Sequence, residues 1–287
     1  MTCLIARLKL FGRRCLHGAL LAASIMLLAP RAGAGAEGQT RLIFAGSGTN
    51  LPIVRVLAKE FQRSRPNVSI QVLASIGSTS AVRAAADGAV ALGLISRPLK
   101  ESEKGLALTT VDFARTPLIV GVHPSVPDDG ITFAELVDIY RGEKSRWGNG
   151  RDIVVLTREP GDSSIEVLAR MVPGFREVYD ESQKSKRWTT LLKDLAMNET
   201  LARTPDAIGL SDLGAVTIEK HVIRPLKVNG AAPSLGNLRN GKYPLFKTLT
   251  FVYREERLAP EARLFMDFVR SGKGEKILKA NGYLPLR

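Results

Sequence analysis

From Arg41 onward, short apolar runs alternate with stretches whose apolar positions recur at helical spacing. The first run predicts a strand over 41–45. Leu51, Val54, Ala58 and Phe61 then fall on one helical face, and Pro66-Asn67 breaks the pattern. A second strand is expected over 68–73 and an Ala-rich helix over 81–86. Further strands are expected over 92–95 and 118–122, the latter ended by His123-Pro124. Thr132 is placed to cap a helix carrying Phe133, Leu136, Val137 and Tyr140. A strand over 153–157 leads to a helix over 163–171 with Ile165, Leu168 and Ala169 on one side. The segment 191–197 follows Trp188, a short strand is expected over 207–210, and another over 246–253. Helical patterns over 261–269 and 275–279 close the chain. Gly105, 124–130 and 227–240 are rich in loop formers, and the last of these reads as a surface loop. Strands alternating with helices predict an α/β fold.

Residues 1–36 carry a different pattern. Arg7, Lys9, Arg13 and Arg14 precede an apolar run over 19–29, too short to span a bilayer comfortably. Small residues then offer cleavage near Ala34 or Ala36. This reads as an export signal, with an uncleaved membrane anchor as the alternative. Cys15 precedes the apolar run, which argues against a lipid-modified N-terminus. Both cysteines, Cys3 and Cys15, fall in this segment, so the remainder has no disulfide, cysteine nucleophile or thiolate metal site.

The chain of 287 residues has 41 basic and 28 acidic residues, with 45% hydrophobic residues. That composition excludes a disordered chain and a multi-span membrane protein. Removing residues 1–36 takes away five basic residues and no acidic ones, leaving 36 against 28, a net of +8. The surplus attracts anions or anionic surfaces, or is simply a solvated basic face. Aromatic residues amount to only 6%, which argues against nucleic-acid binding by base stacking.

Three times a short strand runs into a Gly/Ser/Thr cluster followed at once by a helix. The clusters are Gly46-Ser47-Gly48-Thr49-Asn50, Gly77-Ser78-Thr79-Ser80 and Gly161-Asp162-Ser163-Ser164. Each is compatible with an ordinary helix cap. Three together, with Arg97 and Arg158 nearby, point to an anion site built from helix N-termini and hydroxyls. Leu51 stands where a dinucleotide fingerprint needs its third glycine, and no phosphate-loop lysine follows. His123 and His221 have no metal-ligand partner at short spacing, and no G-x-S-x-G motif occurs. Glu159 and Asp162 are close in sequence, which alone is weak support for acid/base chemistry. No catalytic constellation, metal site or cofactor is expected.

These residues resemble those of periplasmic phosphate-binding proteins of ABC transporters, which have the type II periplasmic-binding-protein fold. The stretch from Ala45 to Asn50 is similar to the family's opening G-x-G-x-T loop, with Thr49 one place early. Gly77-Ser78-Thr79 matches its second loop, and G-L-I-S-R-P from Gly93 to Pro98 its G-x-x-S-R segment. Residues 131–147 resemble its L-x-x-I-(F/Y)-x-G helix with following Trp. Arg158 to Ser164 align with R-x-x-G-S-G-T, and Ala207-Ile208-Gly209 with A-I-G-Y. Residues 241–253 and 265–286 resemble the family's C-terminal segments.

The resemblance implies two α/β lobes closing over an anion, one formed by 39–118 plus 225–287 and the other by 119–224. Hinges would lie near Pro117-Leu118 and Arg224-Pro225. It further implies a ligand set of Thr49, Asn50, Ser78, Ser96, Arg158, Gly161, Asp162, Ser163 and Ser164. Arg97 is a weaker member that could instead pair with an acidic neighbour at the lobe surface. The choice between Thr49 and Asn50 stays open. Asp162 replaces a family serine. It either accepts the hydrogen of a protonated phosphate, a hydrogen that sulfate lacks, or caps its helix and points away. Ala91 replaces a family aspartate read as structural. The function implied is capture of phosphate, or a similar tetrahedral oxyanion, by a periplasmic monomer that delivers it to an inner-membrane ABC permease. Another anion or a small organic acid as ligand, or a sensor or surface-binding role, are the alternatives.

Overall fold

The computed structural model describes residues 39–286; the expected export segment, with both cysteines and His17, lies outside the described residues. The chain opens with β1 (Thr40–Gly46), α1 (Leu51–Ser64), β2 (Val68–Val72), α2 (Gly77–Asp87) and β3 (Leu92–Ile95). The strand β4 follows over Thr109–Val122. After it come β5 (Gly130–Ile131), α3 (Phe133–Arg141), β6 (Val154–Arg158), α4 (Ser163–Met171) and α5 (Phe175–Lys184). Next are β7 (Thr189–Leu191), α6 (Asp194–Arg203), β8 (Ala207–Asp212), α7 (Leu213–Glu219), β9 (Arg224–Pro225), β10 (Lys227–Val228) and α8 (Leu235–Arg239). The chain ends with β11 (Phe246–Tyr253), α9 (Pro260–Arg270), α10 (Gly272–Ala280) and β12 (Leu284–Pro285).

The main strands follow one another in the order β2-β1-β3-β11-β4-β8-β6-β7. β1 is parallel to β2 and β3, and β11 runs antiparallel to β3 and β4. On the other side, β8 is antiparallel to β4 and parallel to β6, which is parallel to β7. The long strand β4 serves both halves. Its first part, from Thr109 to Pro117, pairs with β11, and its last part, from Leu118 to Val122, pairs with β8. Only that last part was legible as a strand, because 109–117 is interspersed with Thr, Asp and Arg.

Two apolar cores flank the change of partner. Phe44, Leu57, Phe61, Phe113, Phe251 and Phe265 form the first, with the Phe113 and Phe251 rings stacked at 4.2 Å. Leu118, Val120, Ile165, Leu168, Phe175 and Tyr179 belong to the second. The chain after Arg224-Pro225, the return point that the resemblance implied, stays with this second core. Leu226, Val228, Tyr243 and Leu245 are all buried in it. The Leu118 N–H donates to the Leu245 carbonyl at 3.0 Å, the Tyr243 hydroxyl donates to the Leu118 carbonyl at 2.7 Å, and Phe246 pairs with Pro117. The chain therefore rejoins the first half of the sheet at Phe246. Segment 227–240, expected as a surface loop, carries β10, which pairs with β5, and the short α8. Leu226, just before the segment, and Val228 within it turn inward together.

Local chemistry explains the helix starts near the cleft. The Thr132 hydroxyl accepts from the Glu135 N–H at 3.1 Å while the Glu135 carboxylate accepts from the Thr132 N–H, so α3 begins with a reciprocal cap. Asp162 caps α4 through the Ser164 N–H at 2.9 Å. Gly77, at φ 74°, turns the chain directly into α2. Ser78, Thr79 and Ser80 thus lie in the first turn of that helix rather than ahead of it.

Candidate functional site

A cleft of about 460 Å³ opens where three of these junctions meet. Ser47 and Gly48 of the β1–α1 loop and the first turn of α2 line one side; Arg158, Gly161, Asp162 and Ser163 of the β6–α4 turn line the other, with Leu192, Lys193 and Asp194. Gly161 sits at φ 84°, a left-handed conformation that lets the turn reverse just before α4.

Arg158 ends β6 and is only 3% exposed. Its Nη2 donates to Asp162 Oδ2 at 2.8 Å and to the Leu192 carbonyl at 3.3 Å, and lies 3.5 Å from Asp194 Oδ2. The remaining donors, Nε and Nη1, have no protein partner. Burial alone would lower its proton affinity, but Asp162 and Asp194 raise it, so the guanidinium stays charged.

Asp162 spends one oxygen on the Ser164 N–H and the other on Arg158. Burial works against its charge, yet Lys247 and Arg158 hold its carboxyl below the ordinary range. The capping geometry is therefore realised, in a residue that lines the cleft.

A chain of hydroxyls crosses the floor. Ser47 Oγ and Ser96 Oγ lie 2.7 Å apart, Ser96 Oγ donates to Ser163 Oγ at 2.9 Å, and the Ser96 N–H donates to Ser78 Oγ at 3.2 Å. Ser78 and Ser163 line the cleft, whereas Ser96 and Ser164 are buried at its base. Asp194 closes the arrangement from the second side. A Cβ on Gly48 would lie 2.0 Å from Asp194 Oδ2, so only glycine permits this approach.

Three of the expected ligand residues are placed elsewhere. Thr49 is fully buried, and its hydroxyl accepts from Lys247 Nζ at 2.9 Å instead of lining the cleft. Asn50 is also buried, with Nδ2 donating to the Ile95 carbonyl at 3.1 Å, and it makes no side-chain cap to α1. Arg97 forms a two-point pair with Glu103, both contacts at 2.7 Å, and donates to Thr79 Oγ1 at 3.0 Å. Its acidic neighbour is thus buried, not at the surface.

Lys247, Asp194 and Asp212 were not anticipated. Lys247 lies on β11, in step with the inward Leu249 and Phe251, and it is 1% exposed. A cation in the inward phase of an apolar strand is the signal that could have found it. Its Nζ lies 3.4 Å from Asp212 Oδ2, at the end of β8. Burial opposes its charge, but Asp212, Asp162 and Asp194 raise its pKa. Asp212 is pushed up to about 6, chiefly by burial. Asp194 had no signal, since it opens α6 in a segment with little apolar pattern. Among the described residues no His, Cys, Asp and Glu cluster fits a metal ion, and no helix is long and apolar enough to cross a membrane.

The chain is similar to known proteins over most of its length. The phosphate-binding protein PstS of Pseudomonas aeruginosa is 27% identical over 266 residues, covering 84% of this chain and 81% of the relative. Protein SphX of Synechococcus elongatus is 28% identical over 280 residues, covering 88% and 79%. A Clostridium perfringens protein described as a phosphate ABC transporter substrate-binding protein, solved with bound phosphate, superposes with a TM-score of 0.78 at 24% identity, covering 86% of this chain and all of that one. The fold is that of the two-lobed type II binding proteins. A family model described as a PBP superfamily domain matches residues 32–273, and the chain belongs to that superfamily.

Proposed function

We propose that the protein captures inorganic phosphate, or a similar tetrahedral oxyanion, in this cleft and hands it to an ABC permease. The observation that carries the reading is Arg158, buried at the cleft with two donor nitrogens, Nε and Nη1, unmatched by protein. A guanidinium in that state suits bidentate binding of an oxyanion. Ser78 and Ser163 would supply neutral hydrogen bonds, with Ser96 orienting both from behind, and the start of α4 would add its backbone N–H groups. The names of the relatives from Pseudomonas aeruginosa and Clostridium perfringens support phosphate as the ligand and transport as the purpose. In this reading the protein performs no covalent chemistry. It acts as a periplasmic monomer, with residues 1–36 removed on export. The closing lobes are residues 39–117 with 246–286, and residues 118–245. Asp162 would accept a hydrogen from protonated phosphate by sharing the oxygen it gives to Arg158.

The half-exposed Ile76 and the exposed Leu192 at the cleft mouth favour a second ligand class, small organic oxyanions.

The test is calorimetric titration of phosphate, then sulfate, into protein lacking residues 1–36 after unfolding and refolding to strip bound ligand. Phosphate heat that disappears in Arg158→Met is expected. A folded protein silent to phosphate, but responsive to an organic acid, would replace this reading with the second. Unchanged phosphate-over-sulfate preference in Asp162→Asn would remove Asp162 from the discrimination.

A further inference from the structure

Five ionisable side chains are gathered around the floor of the cleft: Arg158, Lys247, Asp162, Asp194 and Asp212. Arg158 touches Asp162 and Asp194, and Lys247 touches Asp212. With all five ionised, two cations face three carboxylates. Such a cluster carries a net negative charge before any anion arrives, and an anion in the cleft would meet Arg158 already engaged by two of them. In a poorly solvated site that balance matters, because charge interactions are weakly screened there.

We propose that Lys247 is the second cation of the anion site, acting from beneath its floor without touching the ligand. It does so in two ways. Its charge offsets the carboxylates that surround Arg158. Its Nζ also donates to the Thr49 hydroxyl, while the Tyr283 hydroxyl donates to the Thr49 carbonyl at 3.4 Å. Thr49 is thereby held from both ends, and with it the Ser47-Gly48 edge of the cleft. Lys247 is a positioning residue, absent from the cleft lining and acting on it through Thr49 of the first glycine-rich loop. The inference rests on the reading that the cleft takes an anion.

Its chemistry separates from a merely structural role by the sign of two effects. Asp212→Asn removes a carboxylate, keeps the shape and leaves Lys247 charged. If Lys247 acts through its charge, freeing it from Asp212 tightens phosphate binding by about tenfold. Loss of that carboxylate's repulsion would by itself also tighten binding, so the deciding comparison is with a variant that lacks Lys247 as well. The double variant Lys247→Met/Asp212→Asn removes both charges and so avoids leaving one buried alone. It is expected to melt near the parent temperature yet bind phosphate about tenfold more weakly than Asp212→Asn, and Lys247→Arg is expected to retain binding.

Calorimetry with phosphate on parent, Asp212→Asn, the double variant and Lys247→Arg reads all of this. Binding in the double variant equal to that of Asp212→Asn overturns the inference. So does weaker binding in Asp212→Asn than in the parent. A parent that ignores phosphate but binds another oxyanion overturns the phosphate reading alone, and the same variants are then compared on that anion. A parent silent to phosphate, sulfate and small organic acids overturns both.

Discussion

The Ser96 hydroxyl donates to the Ser163 hydroxyl at 2.9 Å, joining the end of β3 to the first residue of α4 across the cleft floor. Because β3 and α4 belong to different halves of the fold, the bond connects the two sides of the site directly. Ser163→Ala removes it together with one donor to the ligand. A neutral hydrogen bond is worth about 0.5–1.5 kcal/mol, so phosphate affinity should fall by about three- to tenfold while the melting temperature hardly moves. Titration calorimetry beside a thermal melt checks both; an unchanged affinity would take Ser163 out of the site.

Gly48 and Asp194 meet from opposite sides of the same cleft. An alanine at position 48 would place its Cβ 2.0 Å from Asp194 Oδ2 and 2.9 Å from Asp194 Cβ, so Asp194 must withdraw. Gly48→Ala should favour a more open cleft and weaken anion binding, with both apolar cores intact. Small-angle scattering without ligand would show a larger radius of gyration in the variant. Identical scattering and identical affinity would sink the prediction.

The Arg97–Glu103 pair is buried on both sides and stands behind the cleft lining, bonded to Thr79 through Arg97 and to the Lys100 N–H through Glu103. Breaking a buried pair strands a charge, at a cost of about 3–5 kcal/mol. Glu103→Gln should therefore lower the urea midpoint clearly and leave phosphate affinity unchanged. A large affinity loss in the still-folded variant would return Arg97 to the ligand set.

Asp212 gives the protein a distinctive pH response. Its folded pKa of about 6 stands above the ordinary carboxylate value, so between about pH 4 and pH 6 the folded state binds more protons than the unfolded chain. This group's contribution to stability then falls as pH rises through that window and is level above it. Asp212→Asn removes the fall. The stability of the variant relative to the parent should rise by up to about 3 kcal/mol from pH 4 to pH 7, read from urea curves. A difference that stays constant with pH would mean that Asp212 ionises normally.

Much of the fold was legible because local and long-range signals agree. The predicted helix over 163–171 is α4 from end to end, since Asp162 caps it and Ile165 and Leu168 face the core. α5 was not legible: Arg176, Glu177, Asp180, Glu181 and Lys184 dominate its sequence, and only Phe175, Val178, Tyr179 and Ser182 turn inward. In the site, Ser78, Arg158, Gly161, Asp162 and Ser163 could be read from the strand–glycine–helix junctions, and all five line the cleft. Thr49 could not be placed correctly from its loop, because its true partner, Lys247, lies 198 residues further along. The meaning of Lys247 and Asp212 arises only when β11 and β8 flank β4.

The uninterrupted run of β4 through both halves has a mechanical consequence. Any rotation of one half against the other must twist a single ribbon of backbone whose hydrogen bonds serve both β11 and β8. Small rotations spread over several residues are cheap, whereas full separation of the halves would strip those bonds away. The same ribbon makes each half a support for the other during denaturation, and the two cores should melt together in one cooperative transition.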